Sequence, residues 1–488
     1  VRAAWRAVAV VLVASALAAG VTAAAPGDPP PVALRSHGLV GTPGSVRVLH
    51  AERPGAAYVP GSSVLRLADG VLLTGPADPA PAVPAPLDLG DERRDEDRAA
   101  RLVQASRSWL AEGTVPGDTA PLRDMAERAL LDLRLLTRPD GASLAAPEGI
   151  WAYVWPRDAA FVAAAFAVTG HVPEAASVLR WIAGQQRPDG TWAARTRPDG
   201  SGPPDERPDQ LDANGWVPWA VWTVVEEVRR AAGPAAAARL RTELAPAVAR
   251  AVSALAARLG PDGLPPAMPD YWEVSVDGPT LGAVAPLLAG MRAAADLARH
   301  GGDPATAALA TEAAGRLQAA LAAGWSGDRP TRYAGGEGGV DSAVAWLAPP
   351  FGDGALLGPT SLDRAEQALR TPSGGVRPGE EFTNPSTAWT PETAAFALAY
   401  ATTGRPADAR RLLGWLAAHR TSLGALPEKV DAYGSPASVA PLGWTAASAL
   451  LALTALERPL PAPGQALTSP APSPRDGSAS ARAGRTSG

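Results

Sequence analysis

The chain has 488 residues, 46% of them hydrophobic and 19% charged, which excludes a disordered tail protein and a small stapled domain, because a chain this long buries a large core without disulfides. With 44 basic against 49 acidic residues the formal charge is −5, so no basic face is on offer to phosphate backbones and nucleic acid is excluded as a partner. Cysteine is absent and the five histidines (His37, His50, His171, His300, His419) are far apart, so no zinc-ligand spacing exists and neither a metal nor a cofactor is implied.

In chain order, Arg2 and Arg6 precede an apolar run from Ala7 to Ala25 that ends in Ala23-Ala24-Ala25 before Pro26. A basic start, an apolar middle and small residues at the end describe a secretory signal peptide over residues 1–25. The other reading of the same run is an uncleaved anchor, since about 20 apolar residues span a bilayer. Either way the rest of the chain is expected to be secreted or at the cell surface, and a membrane is a partner only if the run stays uncleaved. Residues 26–90 are rich in Pro and Gly with short alternations, Ser45-Val46-Arg47-Val48-Leu49 and Ser63-Val64-Leu65-Arg66-Leu67, which predict a small strand-rich segment.

From 91 to 458 the pattern is helical. Ala/Leu/Val-rich stretches of helical period, each stopped by Gly or Pro, predict helices near 91–112, 120–138, 158–169, 173–186, 215–232, 235–258, 279–300, 303–324, 361–370, 390–403, 405–419 and 443–457. Thr169-Gly170, Trp181 and Gly190 repeat in spacing as Thr403-Gly404, Trp415 and Gly424, a helical hairpin with an inward Trp. Twelve helices taken as six such hairpins predict an all-α fold, an (α/α)6 toroid. Residues 459–488 are Pro, Ala, Ser and Gly with scattered Arg and are expected to be a disordered tail.

Four loops mix aromatics with charge. In Gly149-Ile150-Trp151-Ala152-Tyr153-Val154-Trp155-Pro156-Arg157-Asp158, adjacent Arg and Asp offer the donors and acceptors that sugar hydroxyls need; Asp158 also fits the plainer role of a helix N-terminal charge. In Asp270-Tyr271-Trp272-Glu273-Val274, Glu273 has apolar neighbours, and burial there would hold it protonated as a general acid. Gly375-Val376-Arg377-Pro378-Gly379-Glu380-Glu381 leads to Trp389 and carries Arg377 as a possible anchor for a hydroxyl or carboxylate. Leu426-Pro427-Glu428-Lys429 contains the chain's single lysine; neighbouring side chains usually point apart, so coupling of Lys429 to Glu428 is given little weight. Tryptophan, at 15, outnumbers Phe and Tyr together, as a GC-rich coding sequence would give, so only Trp inside these motifs carries an argument. A glycosidic bond is cleaved by one carboxylic acid and one carboxylate, and Glu273 and Glu428 lie on loops that a ring can set face to face.

The succession Trp155-Pro156-Arg157-Asp158, Gln210-Leu211-Asp212, Asp270-Tyr271-Trp272-Glu273, Arg377, Leu426-Pro427-Glu428 and Leu442-Gly443-Trp444 resembles glycoside hydrolase family 15, the glucoamylase-like enzymes, over about 91–457. The resemblance implies an inverting hydrolase acting on an α-glucoside within an oligosaccharide or polysaccharide, with Glu273 as general acid and Glu428 as general base. It implies that Arg157, Asp158 and Arg377 hold sugar hydroxyls and that Trp155, Trp272 and Trp444 line the first subsite. Asp205-Glu206-Arg207-Pro208 lacks the platform aromatic common in such relatives, and Val274-Ser275-Val276 replaces charged residues, which turns the expectation away from long substrates. The N-terminal segment is also far smaller than the sandwich of bacterial relatives. A trehalase of the same fold and a non-catalytic glycan-binding surface protein are the alternatives.

Overall fold

The computed structural model of the chain describes residues 32–76, 89–325 and 327–464. The predicted signal segment 1–25 and most of the predicted tail, from residue 465 on, lie outside the described residues.

The N-terminal segment is small and stranded, as its alternations predict. β1 (Gly38–Thr42) and β2 (Ser45–Leu49) form an antiparallel hairpin with Gly38 opposite Leu49 and Thr42 opposite Ser45. β3 (Ala57–Tyr58), β4 (Leu65–Arg66) and β5 (Leu72–Leu73) make a second antiparallel sheet. Val40, Leu49 and Leu65 form a separate minor core with Leu423, which fastens this segment to the helical body.

The body contains α1 (Leu89–Glu112), α2 (Ala120–Leu136), α3 (Pro156–Val168), α4 (Val172–Gly184), α5 (Ala213–Ala232), α6 (Pro234–Ala256), α7 (Leu281–Gly301), α8 (Pro304–Gly324), α9 (Ser361–Leu369), α10 (Thr390–Thr402), α11 (Pro406–Ala418) and α12 (Gly443–Glu457). All twelve predicted helices are present, with ends within about two residues, because Pro at the first turn of α2, α3, α4, α6, α8, α10 and α11 sets sharp starts.

Burial separates two classes of helix. Every residue of α3 is buried, as is α12 from Gly443 to Thr454. By contrast α11 buries only Ala409, Leu412, Leu413 and Leu416, one stripe at helical spacing. The first class forms an inner ring in which α3 packs on α5, α5 on α7, α10 on α12 and α12 back on α3. Between α7 and α10 the inner position is taken by a 3-10 turn, Ser342–Leu347, which touches both. The outer ring is α4, α6, α8, α9, α11 and α2. The fold is therefore the predicted (α/α)6 toroid, with three corrections to how its parts are assigned. The helix at 91–112 stands outside the twelve positions, the sixth inner element is the 3-10 turn, and α2 is the outer partner of α12, so the two ends of the toroid's chain close the ring. Trp181 and Trp415, expected to point inward, lie half-buried on the outer helices α4 and α11.

Two features fill the ring. α5 and α7 meet backbone to backbone: a Cβ on Gly290 would lie 2.3 Å from the Gly215 carbonyl oxygen, and one on Gly215 would lie 2.2 Å from that of Pro286. Phe161 of α3 packs against Trp216 and Trp219 of α5, Phe351 and Trp444 of α12, with ring centroids 4.9–5.9 Å apart. This aromatic plug fills the centre of the ring, and a pocket remains at the end where the helices α3, α10 and α12 begin.

Candidate active site

A cavity of about 110 Å³ sits at that end, lined by Trp151, Trp155, Arg157, Asp158, Tyr271, Trp272, Glu273, Trp389, Pro391, Glu428 and Trp444, with Ala145 and Leu442. It gathers residues from four chain segments. Seven of the eight site residues expected from the sequence line it. Five of the 15 tryptophans do so as well, which makes these positions more than a compositional habit.

The first wall is the start of α3. Pro156 opens the helix, so Arg157 and Asp158 fall in its first turn, where a carboxylate is favoured by the helix dipole. Both are buried. Arg157 donates from Nη1 to Gln210 Oε1 at 2.9 Å and to Asp212 Oδ2 at 3.1 Å, which gives the Gln210-Leu211-Asp212 motif its structural role. Burial pulls against the Arg157 charge, but Asp212 and Asp158 outweigh it and leave the guanidinium above its ordinary pKa. Burial pushes the Asp158 carboxyl up to about 6 against the pull of Arg157. The Arg157 guanidinium also lies 4.9 Å from the centre of the Trp444 ring.

The second wall carries Glu273. Asp270 is wholly buried and organises the turn: it accepts from Trp272 N at 3.0 Å and from the Thr280 hydroxyl at 2.7 Å, while its carbonyl accepts from Glu273 N at 2.8 Å. The turn leaves Glu273 at φ 57°, a left-handed conformation that costs a side-chain-bearing residue about 1–2 kcal/mol. Its carboxylate accepts from Trp155 Nε1 at 2.7 Å, lies 3.6 Å from Arg157 Nη2 and pairs with Arg207. The expectation of an apolar setting for Glu273 is corrected: the side chain is a quarter exposed and faces two guanidiniums.

The third wall carries Glu428. Only 8% exposed, it accepts from Trp151 Nε1 at 3.2 Å and from the Ser438 hydroxyl. It precedes β7 (Lys429–Val430), which pairs with β6 (Ala388–Trp389) and β8 (Pro436–Ala437). Contrary to the sequence reading, Lys429 does approach it, with Nζ 3.6 Å from Glu428 Oε2. The reason is the cross-strand partner: the ammonium sits 4.1 Å from the centre of the Trp389 ring, directly opposite in register. Ser438 has φ 72°, and among the described residues it and Glu273 are the non-glycine positions with positive φ. Backbone strain of this kind collects at functional sites; here it marks both candidate carboxyls.

Arg377 is not brought to the cavity. Its Nη2 donates at 3.3 Å to the carbonyl of Ala368, in the last turn of α9, where a cation satisfies an otherwise open helix end. The loop around it still serves the site from behind: Gly379 lies flat under Trp272, a Cβ there falling 2.1 Å from the indole, and the Pro378 carbonyl accepts from the Tyr271 hydroxyl at 3.1 Å.

The arginine behind this wall is Arg332, which the sequence reading missed. It is buried, donates to Asp270 Oδ1 at 2.9 Å and to Asp341 Oδ2 at 3.0 Å, and stacks on Trp272 with its guanidinium carbon 3.6 Å from the ring centre. Thr331-Arg332-Tyr333 stands outside every helix in a Gly-rich stretch, so no periodicity pointed to it. Arg207, Trp151, Trp389 and Ser438 were likewise unassigned. No group of His, Cys, Asp and Glu among the described residues is placed to hold a metal ion.

No family model and no curated protein matches the chain. Solved structures do. A glycosidase Glu-to-Ala variant in complex with glucose superposes with a TM-score of 0.58 at 20% identity, over 69% of this chain and 97% of that one. The glucoamylase of Saccharomycopsis fibuligera gives 0.59 at 12% identity, over 70% and 96%. A bacterial glucoamylase complexed with acarbose gives 0.58 at 16% identity, over 77% of this chain and 61% of that one. The chain shares the (α/α)6 toroid fold of these proteins.

Proposed function

We propose that the chain is an inverting glycoside hydrolase that releases glucose from a short α-glucoside, with Glu273 as proton donor and Glu428 as the base that activates water. The observation that carries this reading is the single cavity lined by both carboxyls and by Trp155, Arg157, Asp158, Trp272 and Trp444. The fold likeness to a glycosidase that holds glucose and to a glucoamylase that holds acarbose supports it.

In this reading the sugar ring enters between the indoles, and Arg157 and Asp158 supply a donor and an acceptor for its hydroxyls. Glu428, held ready by Trp151 and Ser438, takes a proton from water as that water attacks the anomeric carbon. Glu273 passes its proton to the leaving oxygen. To do so it must first take up a proton from solvent, which requires Arg207 to leave its carboxylate as the substrate enters. That arginine, with Asp205 tied to Arg195, occupies the ground where a platform aromatic would extend the binding surface. Disaccharides are therefore favoured over starch. The apolar run after Arg2 and Arg6 supports an enzyme that works outside the cytoplasm.

A panel of maltose, isomaltose, trehalose and longer maltooligosaccharides, followed by NMR of the released anomer, tests the proposal. β-Glucose is expected first, from a short substrate. Glu428→Gln and Glu273→Gln are each expected to lower kcat by about 10²–10⁴-fold. Full turnover in the Glu428 variant, or binding of sugar with no glucose released by the parent, overturns it.

A further inference from the structure

A third carboxyl lies behind the cavity and has no part in the mechanism above. Glu392 stands in the first turn of α10, immediately after Pro391, which lines the cavity. It is 2% exposed, and its Oε2 is buried with no hydrogen-bond partner. The turn that carries it is riveted to the Glu428 segment. Thr390 N donates to the Glu428 carbonyl at 3.1 Å, and the Thr390 hydroxyl donates to the Pro427 carbonyl at 2.5 Å and meets Thr445 of α12 at 2.7 Å. Glu392 is therefore tied, through Thr390 two residues before it, to the backbone of Glu428.

The groups that face Glu392 come from every side of the ring floor. They are Glu428 ahead of β7, Arg157 at the start of α3, Asp341 ahead of the 3-10 turn and the Tyr271 hydroxyl. Of these only Arg157 is cationic, and it is already engaged by Gln210 and Asp212. A carboxylate at this place would be a buried charge with one oxygen unpartnered and no cation of its own, beside another carboxylate. Such a group keeps its proton instead.

We propose that Glu392 is a positioning residue of the site, carried as the neutral acid, and that it acts through Glu428: its retained proton is what lets Glu428 remain the ionised member of the pair. This rests on Glu428 being the base. Burial, opposed by a hydrogen bond from its own backbone N–H and aided by the nearby Glu428 charge, pushes the Glu392 carboxyl up to about 8 from an ordinary 4.5. A carboxyl raised in the fold contributes stability that is fully present below its unfolded value and is lost as pH rises through the folded one. The window here is pH 4.5 to about 8.

Thermal unfolding of the full chain and of the Glu392→Gln and Glu428→Gln variants from pH 5 to 10 tests the coupling without any substrate. Glu392→Gln, which mimics the protonated form, is expected to abolish the loss of Tm that Glu392 causes between pH 5 and 8. Glu428→Gln removes the neighbouring charge, so the pH at which that loss levels off is expected to fall by about one unit. The second readout is kcat on whichever substrate the panel identifies: Glu392→Gln, neutral like the acid it replaces, is expected to keep the acid limb of the pH profile, which the base sets, in place, and Glu392→Ala to lose at least tenfold more rate than Glu392→Gln. A loss of Tm between pH 5 and 8 that persists in Glu392→Gln, or that levels off at the same pH in Glu428→Gln, overturns the inference even if the enzyme hydrolyses α-glucosides. Failure of hydrolysis with the Tm coupling intact overturns the functional reading alone.

Discussion

At the scale of single residues the site is built from two strained backbones and the groups that hold them. Ser438 donates to Glu428 from a left-handed conformation, so one residue carries both a cost and a benefit. Ser438→Gly separates them. Relief of strain stabilises by about 1–2 kcal/mol, while loss of a hydrogen bond to a charged group costs about 1.5–3 kcal/mol. The variant is thus expected to keep its Tm within a few degrees while kcat falls about 10- to 100-fold, measured by calorimetry and steady-state kinetics. Residue identity in this region was legible where motifs cluster: Trp155, Arg157, Asp158, Trp272, Glu273, Glu428 and Trp444 share one cavity. Arg377 was not, because a lone arginine in a loop says nothing of direction, and its side chain turned back to cap α9. Arg207 was read only for the aromatic it is not, and its charge, set against Glu273, proves to matter more.

At the scale of elements the helices were legible because Pro and Gly punctuate them and Ala-rich stripes set their period. The 3-10 turn Ser342–Leu347 was not, since six residues complete too little of a helical period to register, and Pro349-Pro350 stops any continuation. Two-residue strands such as β7 lie below any alternation signal. A further element escaped notice altogether. The stretch ahead of β1 forms a strap over the Glu428 loop: Arg35 N donates to the Ser438 carbonyl at 2.8 Å, Ser438 N to Ala33 at 3.1 Å, and the Ser36 hydroxyl to Ala440 at 2.6 Å. The strap holds Ser438 from both of its backbone groups, which explains how its strained conformation persists. A chain beginning at Gly38 is expected to retain a cooperative melt but to lose about tenfold in kcat, the equivalent of about 1.4 kcal/mol of positioning. Unchanged kcat would show that the loop holds itself.

At the scale of the whole molecule the ring is closed by α2 and α12, near the two ends of the toroid. Gly117 N, just before α2, donates to Glu457 Oε1 in α12 at 2.6 Å, and Gly443 N donates to the Ala145 carbonyl at 2.7 Å. Removing α12 takes out one of six inner walls together with Trp444, a member of the aromatic plug. A chain ending at Leu442 is therefore expected to show no cooperative thermal transition and to bind a hydrophobic dye strongly; a sharp melt would mean that five walls suffice. The toroid itself was legible in the count of helices, but its closure was not. Pairing sequential helices into hairpins starts the count one helix too early and hides the neighbours that meet across the gap.

That closure has a consequence for how the molecule comes into being. A ribosome delivers α2 at the beginning and α12 more than 300 residues later, so every partly made chain has an open seam and an unfilled centre. Contacts so distant in order form late and slowly. Nascent chains thus present their Ala- and Leu-lined interior to chaperones for most of synthesis, and the pocket has no sixth side until the last helix has cleared the exit tunnel.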